Sequence, residues 1–395
     1  MKPLWFACLL ALALVSQASA IYIDFDYTYD TNGFFSTYPQ AVTALVAAGD
    51  MFDQRLTDDL DAIIPSGRNR WSASFTRPDT GTIKTISNPT IAADTLVVYV
   101  GGRDLEPNVL GRAGPGVADP TGSSSWIDTV LQRGEPNADG TGATDFGPWG
   151  GSLTLDWDAA GYGWHFDPYT QPAPGTIDLF GVMIHELGHI LGYGLSDSWQ
   201  TYTSFVGGDP FFTGPVSSAE HGGDVPMDGG LGHWADGLLS PVGGHLQQVA
   251  MSPSVGLSVR KNFTEVDWAG LDDIGWDVVP SAPIVGDLND DSLVSLVDIN
   301  AFVLAIVDPA AYAAAYPDVD LTAIDPDGSG YINLQDINPF VVLITGGGSA
   351  AVAPEPAMGA WLLLAGLLLS HRHTGRAARH RPGSHVPKDR TPAEA

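Results

Sequence analysis

The chain has 395 residues, with 46 Asp and Glu against 17 Lys and Arg and a formal net charge of −29 at pH 7. A balance this acidic argues against nucleic acid as a partner and suits a soluble protein in a cation-rich extracellular setting. The length leaves room for a catalytic domain of about 250 residues and a further small module.

In chain order, the first element is an export signal. Residues 1–20 join Lys2, an apolar core from Leu4 to Val15 and the small-residue ending Ala18-Ser19-Ala20, the plan of a secretory signal peptide. The mature chain is expected to begin near Ile21. The single cysteine, Cys8, lies inside that peptide and away from its cleavage site, so the mature chain has no disulfide, no cysteine switch and no lipid-anchoring cysteine.

Ile21 to Tyr27 alternates and predicts a first strand, and Ala41 to Ile64 carries apolar residues at helical spacing. Thr95 to Val100 reads as a buried strand running into Gly101-Gly102, and Leu153 to Trp157 alternates as another. A helix is expected from about Thr176 to Leu191, and a second opens at Asn262–Asp267 and runs through Trp268, Leu271 and Ile274. Strand, helix, strands and helix predict an α+β domain over residues 21–279, with a twisted mixed sheet on two helices.

The helix from Thr176 contains His185-Glu186-Leu187-Gly188-His189-Ile190-Leu191-Gly192. On a helix His185 and His189 stand one turn apart on one face, so both imidazoles can hold one zinc ion. Glu186 lies beside them within reach of water on the metal and is the expected general base. Upstream, Leu179, Phe180, Val182, Met183 and Ile184 make the helix apolar and buried, and a buried His-Glu-His cluster without a metal would be costly. A catalytic zinc takes a third protein ligand and keeps an open position. The downstream candidates are Asp197, His221, His233 and His245.

This motif resembles that of the metzincin metalloproteases, HExxHxxGxxH followed by a methionine turn. Gly192 matches the glycine, whereas Leu195 stands at the third-histidine position. The chain is therefore more similar to the leishmanolysin-like branch, whose third ligand comes from farther along. The resemblance implies a zinc endopeptidase, with His233 in Gly232-His233-Trp234-Ala235-Asp236-Gly237 preferred as third ligand and Met251 in the methionine turn. It also implies that Leu153–Trp157 is the edge strand on which an extended peptide substrate aligns. Two other function classes stay open: a calcium-dependent surface or matrix adhesion protein with a structural zinc site, and a hydrolase of a non-peptide bond on the same scaffold. Glu186 speaks against the adhesion reading, since a structural site has no use for a carboxylate beside the metal.

Residues 280–285 form a short extended linker, and an internal repeat follows: Asp298-Ile299-Asn300-Ala301-Phe302-Val303 recurs as Asp336-Ile337-Asn338-Pro339-Phe340-Val341. Each copy ends an acidic loop. Asp287, Asn289, Asp291, Ser295 and Asp298 occupy positions 1, 3, 5, 9 and 12 of a calcium loop, with the Leu293 carbonyl at position 7. Asp325, Asp327, Ser329, Asn333 and Asp336 repeat the pattern, with the Tyr331 carbonyl at position 7. Residues 286–346 resemble a type I dockerin, whose loops end in Asp. That implies a small all-α module and a cohesin-like protein partner. Ser292 stands at position 6 of the first loop, where Gly330 eases the turn in the second.

In residues 347–395, Pro354-Glu355-Pro356 precedes an apolar stretch, 357–370, and a basic tail with Arg372, Arg376, Arg379 and Arg381. This order resembles the PEP-CTERM sorting signal. It implies processing by an exosortase-type membrane protease, a surface or secreted destination, and membrane contact only through this transient transmembrane anchor.

Overall fold

A computed structural model describes residues 21–242, 245–280, 284–291, 294–317 and 319–345. The expected signal peptide, part of the expected linker, Leu293 and the expected sorting segment lie outside these residues.

The elements that position the site are, in chain order, β1 (Tyr22–Asp26), α1 (Gln40–Asp53), β2 (Arg70–Thr76), β3 (Ile83–Ser87), β4 (Thr95–Arg103), β5 (Gly111–Pro115), β6 (Val117–Thr121), β7 (Gly150–Asp156), α2 (Leu179–Ile190), α3 (Glu265–Asp273), α4 (Asp298–Val307) and α5 (Ile337–Thr345). The class is α+β. A mixed sheet runs β1-β4-β7-β5, in which β1, β4 and β7 are parallel and β5 is antiparallel to β7. Leu96, Val98 and Val100 of β4 and Leu153 and Leu155 of β7 share one buried cluster with Leu45 and Phe52 of α1 and Ile184 and Leu187 of α2. Alternation along the strands sends Tyr99 to the opposite face, where it joins Trp71, Phe75 and Trp149 beside the β3-β2-β6 sheet.

Two expectations need correction. The apolar spacing from Ala41 to Ile64 predicts one helix, but α1 stops at Asp53. Beyond it Leu56 bridges to Val278 and Ile63 to Ile91, so these side chains are buried by extended backbone that pairs with distant segments. The Asp58 carboxylate there accepts the Asp277 N–H at 3.1 Å, a further tie to the distant segment that includes Val278. Second, β7 is not an edge. It is buried throughout and paired on both sides, to β4 and β5. The edge is β5, whose sequence Gly-Arg-Ala-Gly-Pro has no apolar alternation and so gives no strand signal.

Helix α2 starts at Leu179 rather than near Thr176 because Asp178 caps it, accepting the Gly181 N–H at 3.0 Å. Arg260 braces that carboxylate with two bonds of 2.9 and 2.7 Å. Residues 288–340 contain a cluster of their own, in which Leu288, Ala301, Phe302, Tyr312, Ile324 and Phe340 are buried. Phe302 and Phe340 hold equivalent places in the repeat and stack 4.3 Å apart at 14°. No helix among the described residues is long and apolar enough to cross a membrane.

Candidate metal centre

After α2 the chain turns at Gly192 and Gly194, with φ of 112° and 72°, values that favour glycine. A Cβ on Gly194 would lie 2.5 Å from Gly232 Cα, so glycine also lets the 228–233 loop approach the end of α2. The Asp228 carboxylate shapes that loop, accepting the N–H groups of Gly230 at 3.0 Å and His233 at 3.1 Å. Nε2 of His189 then lies 3.2 Å from Nε2 of His185 and 3.1 Å from Nε2 of His233.

The hydrogen-bond partners fix what those nitrogens can do. Nδ1 of His185 is 2.8 Å from the Ala250 carbonyl and Nδ1 of His189 is 2.9 Å from the Tyr193 carbonyl. A carbonyl only accepts, so both Nδ1 atoms carry the proton and both Nε2 atoms offer lone pairs. Burial holds all three histidines below their usual range, His185 well below it and His189 down to about 4. The facing lone pairs of His185 and His189, with no proton to share, are what a cation would relieve. In a tetrahedral zinc site with Zn–N of about 2.0–2.1 Å, ligand nitrogens stand about 3.3 Å apart. The three imidazoles fit that group.

One buried carboxylate organises the supports. Asp267, in the first turn of α3, accepts the N–H of Ala250 at 2.8 Å, of Met251 at 3.1 Å and of Thr264 at 2.8 Å, and the Trp234 indole N–H at 3.1 Å. Ala250 aims His185, and Trp234 adjoins His233. The Tyr193 hydroxyl donates to the Asp267 carbonyl, tying in the residue that aims His189. Met251 is fully buried, and its Sδ lies 2.5 Å from where a Cβ on Gly188 would stand. Glycine between the two helix histidines therefore lets the thioether lie against α2.

Glu186 accepts the Ala113 N–H from the edge strand, and burial pushes its carboxyl up to about 8 against the pull of Arg112 and that N–H. A Cβ on Gly111 would meet its Oε1 at 2.5 Å, so only glycine leaves room for the carboxylate there. His185, Glu186, His189 and His233 all line a cavity of about 640 Å³, bounded by Asn108–Ala113 and by Ser252–Val255. The Lys261 ammonium donates to Ser252 Oγ at 2.6 Å and to the Ser254 carbonyl, fixing the second wall.

The other candidates lie elsewhere. Asp197 opens the short helix Asp197–Thr201 and accepts the Gly140 N–H at 2.6 Å. His221 ends the helix Pro215–His221. The backbone of His245 pairs with Val242, and its side chain lies outside the described residues. The loops of the repeat gather carboxylates: ligand-capable atoms of Asp287, Asp291 and Asp298 lie within 4.8 Å of one another, as do those of Asp325, Asp327 and Asp336. Asp298 accepts the N–H groups of Asn289 at 3.1 Å and Ser295 at 2.7 Å, and Asp336 those of Asp327 at 3.1 Å and Asn333 at 2.8 Å. The two loops thus share one internal scaffold. Burial, then Asp291 and Asp298, push Asp287 well above the usual carboxylate range. Such a set suits calcium, whose oxygen ligands lie at about 2.3–2.6 Å. Asn289 Nδ2 donates to Asp291 at 2.9 Å, and Asn333 Nδ2 and Ser329 Oγ donate to the Tyr331 carbonyl at 3.0 and 3.3 Å.

Sequence reasoning missed the Asp267 hub and the β5 edge. The capping-box spacing Thr264-x-x-Asp267 was a signal for the first, since that box is formed here, but nothing local marks the second. No protein family model matches the chain, and no curated protein shows significant sequence similarity to it.

Proposed function

We propose that the chain is an exported zinc-dependent endopeptidase of metzincin-like plan. The observation that carries this reading is the meeting of three imidazoles in an open cavity, His189 Nε2 standing 3.2 and 3.1 Å from those of His185 and His233, with Glu186 among the lining residues. Zinc held by His185, His189 and His233 would supply Lewis acidity, polarising a carbonyl and making water acidic near neutral pH. The open cavity suits a catalytic centre better than a structural one.

The residues divide the remaining work. Leu110 C=O and Gly116 N–H bond to β7, so by alternation the backbone groups of Gly111 and Ala113 face the other side of β5, where the Ala113 N–H is taken by Glu186 and the Gly111 groups and the Ala113 carbonyl face a substrate. An extended peptide can pair with that edge, which aligns its carbonyl with the histidine cluster. Glu186, beside Ala113, takes a proton from the attacking water and returns it to the departing amine. Asp267 and its partners hold the imidazoles and so spare the cost of ordering them during reaction.

The carboxylate loops support calcium binding. Ile299, Val303 and Val307 of α4 and Leu334, Ile337 and Val341 near or on α5 line one apolar cavity of about 350 Å³, a surface suited to a cohesin-like protein partner. The signal peptide and sorting segment support export and exosortase-type processing.

Zinc content and casein cleavage, measured on the mature chain, test the reading. Wild type should bind one zinc in the catalytic region and cleave. His233→Ala should lose both, whereas Glu186→Ala should keep zinc and lose about 10²–10⁴-fold in rate. Full activity in Glu186→Ala would remove the assigned base, and unchanged zinc in His233→Ala would remove the third ligand.

A further inference from the structure

Across β5 from the histidines lies a second cavity of about 410 Å³, lined by Arg103, Arg112, Glu106, Ser152, Thr154 and Gly81 among others. It shares Arg112 and Ala113 with the larger cavity. Arg112 is opposite Thr154 in the β5–β7 register, so both side chains stand on one face of the sheet. Leu153 and Leu155 face the helices, which places this cavity on the other side.

The charge here runs against that of the chain. Arg112 pairs with Glu106 at 3.0 Å, both exposed. Arg103, the last residue of β4, has no ion-pair partner among the described residues, and its buried Nε has no hydrogen-bond partner there. Its Nη1 reaches only the Asp104 carbonyl, at 3.4 Å. Gly81 leaves space for it, since a Cβ there would lie 3.0 Å from Nη2. A buried guanidinium donor left without an acceptor costs free energy unless a ligand supplies one, and a carboxylate matches its fork.

We infer that this cavity is a subsite for the carboxylate of an acidic side chain on the peptide substrate. The inference rests on the endopeptidase reading. In a strand added to the β5 edge, alternate side chains point to opposite faces. Those on one face meet the histidines. Those on the other stand beside Arg112, with Arg103 behind it, close to the scissile bond. An Asp or Glu at such a position gives Arg103 the acceptor it lacks, so the enzyme selects acidic peptides despite its own net charge of −29.

The test is a library of N-acetylated, C-amidated peptides in Asp/Asn and Glu/Gln pairs, digested by the zinc-loaded mature chain. Wild type should favour the acid over its amide at one fixed position by about tenfold in kcat/KM. Arg103→Gln should bring that ratio to about one, and Arg103→Lys, which keeps the charge, should retain part of it. Arg112→Gln gives a second reading of the same ratio should Arg103→Gln fail to fold. A purely structural role for Arg103 would lower both rates together with the ratio unchanged, and that result overturns the subsite, as does wild type without acidic preference. If wild type cleaves no peptide, the endopeptidase reading fails separately. Fluorescence anisotropy of the labelled acidic peptide and its amide partner then decides: a preference lost in Arg103→Gln supports the carboxylate site, and equal binding overturns it.

Discussion

His189 and His233 are 44 residues apart in sequence yet 3.1 Å apart at Nε2, whereas Asp287, Asp291 and Asp298 gather inside a single loop. The first cluster consists of neutral donors, each aimed by a carbonyl or a loop that the surrounding fold fixes. The second consists of like charges brought together by short-range geometry, with burial and mutual repulsion both raising Asp287. A centre of the first kind is shaped before any metal arrives, because ordering neutral imidazoles costs little once Asp267 and its partners are in place. A centre of the second kind depends on its cation, because uncompensated carboxylates a few ångströms apart oppose the loop that holds them.

Calcium removal should separate the two most strongly. Protein stripped of metal and given back zinc alone should lose hydrogen-exchange protection in α4 and α5 while α2 keeps it, and added calcium should restore the lost part. Equal protection of α4 and α5 with and without calcium would end the distinction. Next in size is Asp267→Asn, which turns an acceptor oxygen into a donor facing backbone N–H groups and the Trp234 indole. Competition with a chromophoric chelator should show zinc affinity weaker by about 10–100-fold. Calcium affinity should not change. Unaltered zinc affinity would mean that Ala250, Met251 and Trp234 hold their places without the carboxylate.

The same contrast explains what the sequence made legible. The HExxH run and the acidic loops are local, so spacing alone put His185 and His189 on one helix face with Glu186 beside them, and the repeat aspartates in one cage. Helix α2 and strand β4 were legible because each is a dense apolar run that is buried almost throughout. The convergence of His233 is different in kind, since it depends on Gly194 approaching Gly232 and on Asp228 shaping a loop. Only the resemblance singled it out. The true edge strand was hidden because Gly111-Arg112-Ala113-Gly114-Pro115 is chosen for the space that Glu186 needs at Gly111 and not for burial. Leu56 and Ile63 misled for the opposite reason: they are buried, at helical spacing, by partners more than a loop away.

The smallest of these effects is the response of the chelated chain to acid, and there His189 and Asp298 should pull in opposite directions. Burial holds His189 at about 4 in the folded chain, below its ordinary 6.5. The resulting stability is complete above 6.5 and lost as pH falls toward 4, because the unfolded chain takes up a proton that the folded one refuses. Burial and Asp291 raise Asp298 to about 7 from 3.8, so the folded loop binds its proton more tightly than the unfolded one. That contribution is complete below 3.8 and lost as pH rises through 7. Between pH 7 and pH 5, then, acid should withdraw the His189 contribution and restore that of Asp298 in the metal-free loop, by at most about 1.4 kcal/mol per pH unit for each group. Glu186, which burial raises to about 8, opposes His189 within α2, so wild type is compared with His189→Gln and with Asp298→Asn. Residues 284–345 contain no tryptophan, so tryptophan fluorescence in urea reports the first region, and the ring resonances of stacked Phe302 and Phe340 report the second. An Asp298→Asn chain whose loop midpoint keeps the wild-type pH dependence would mean that the loop carboxylates are already neutralised from within the fold, and that calcium is not what their arrangement requires.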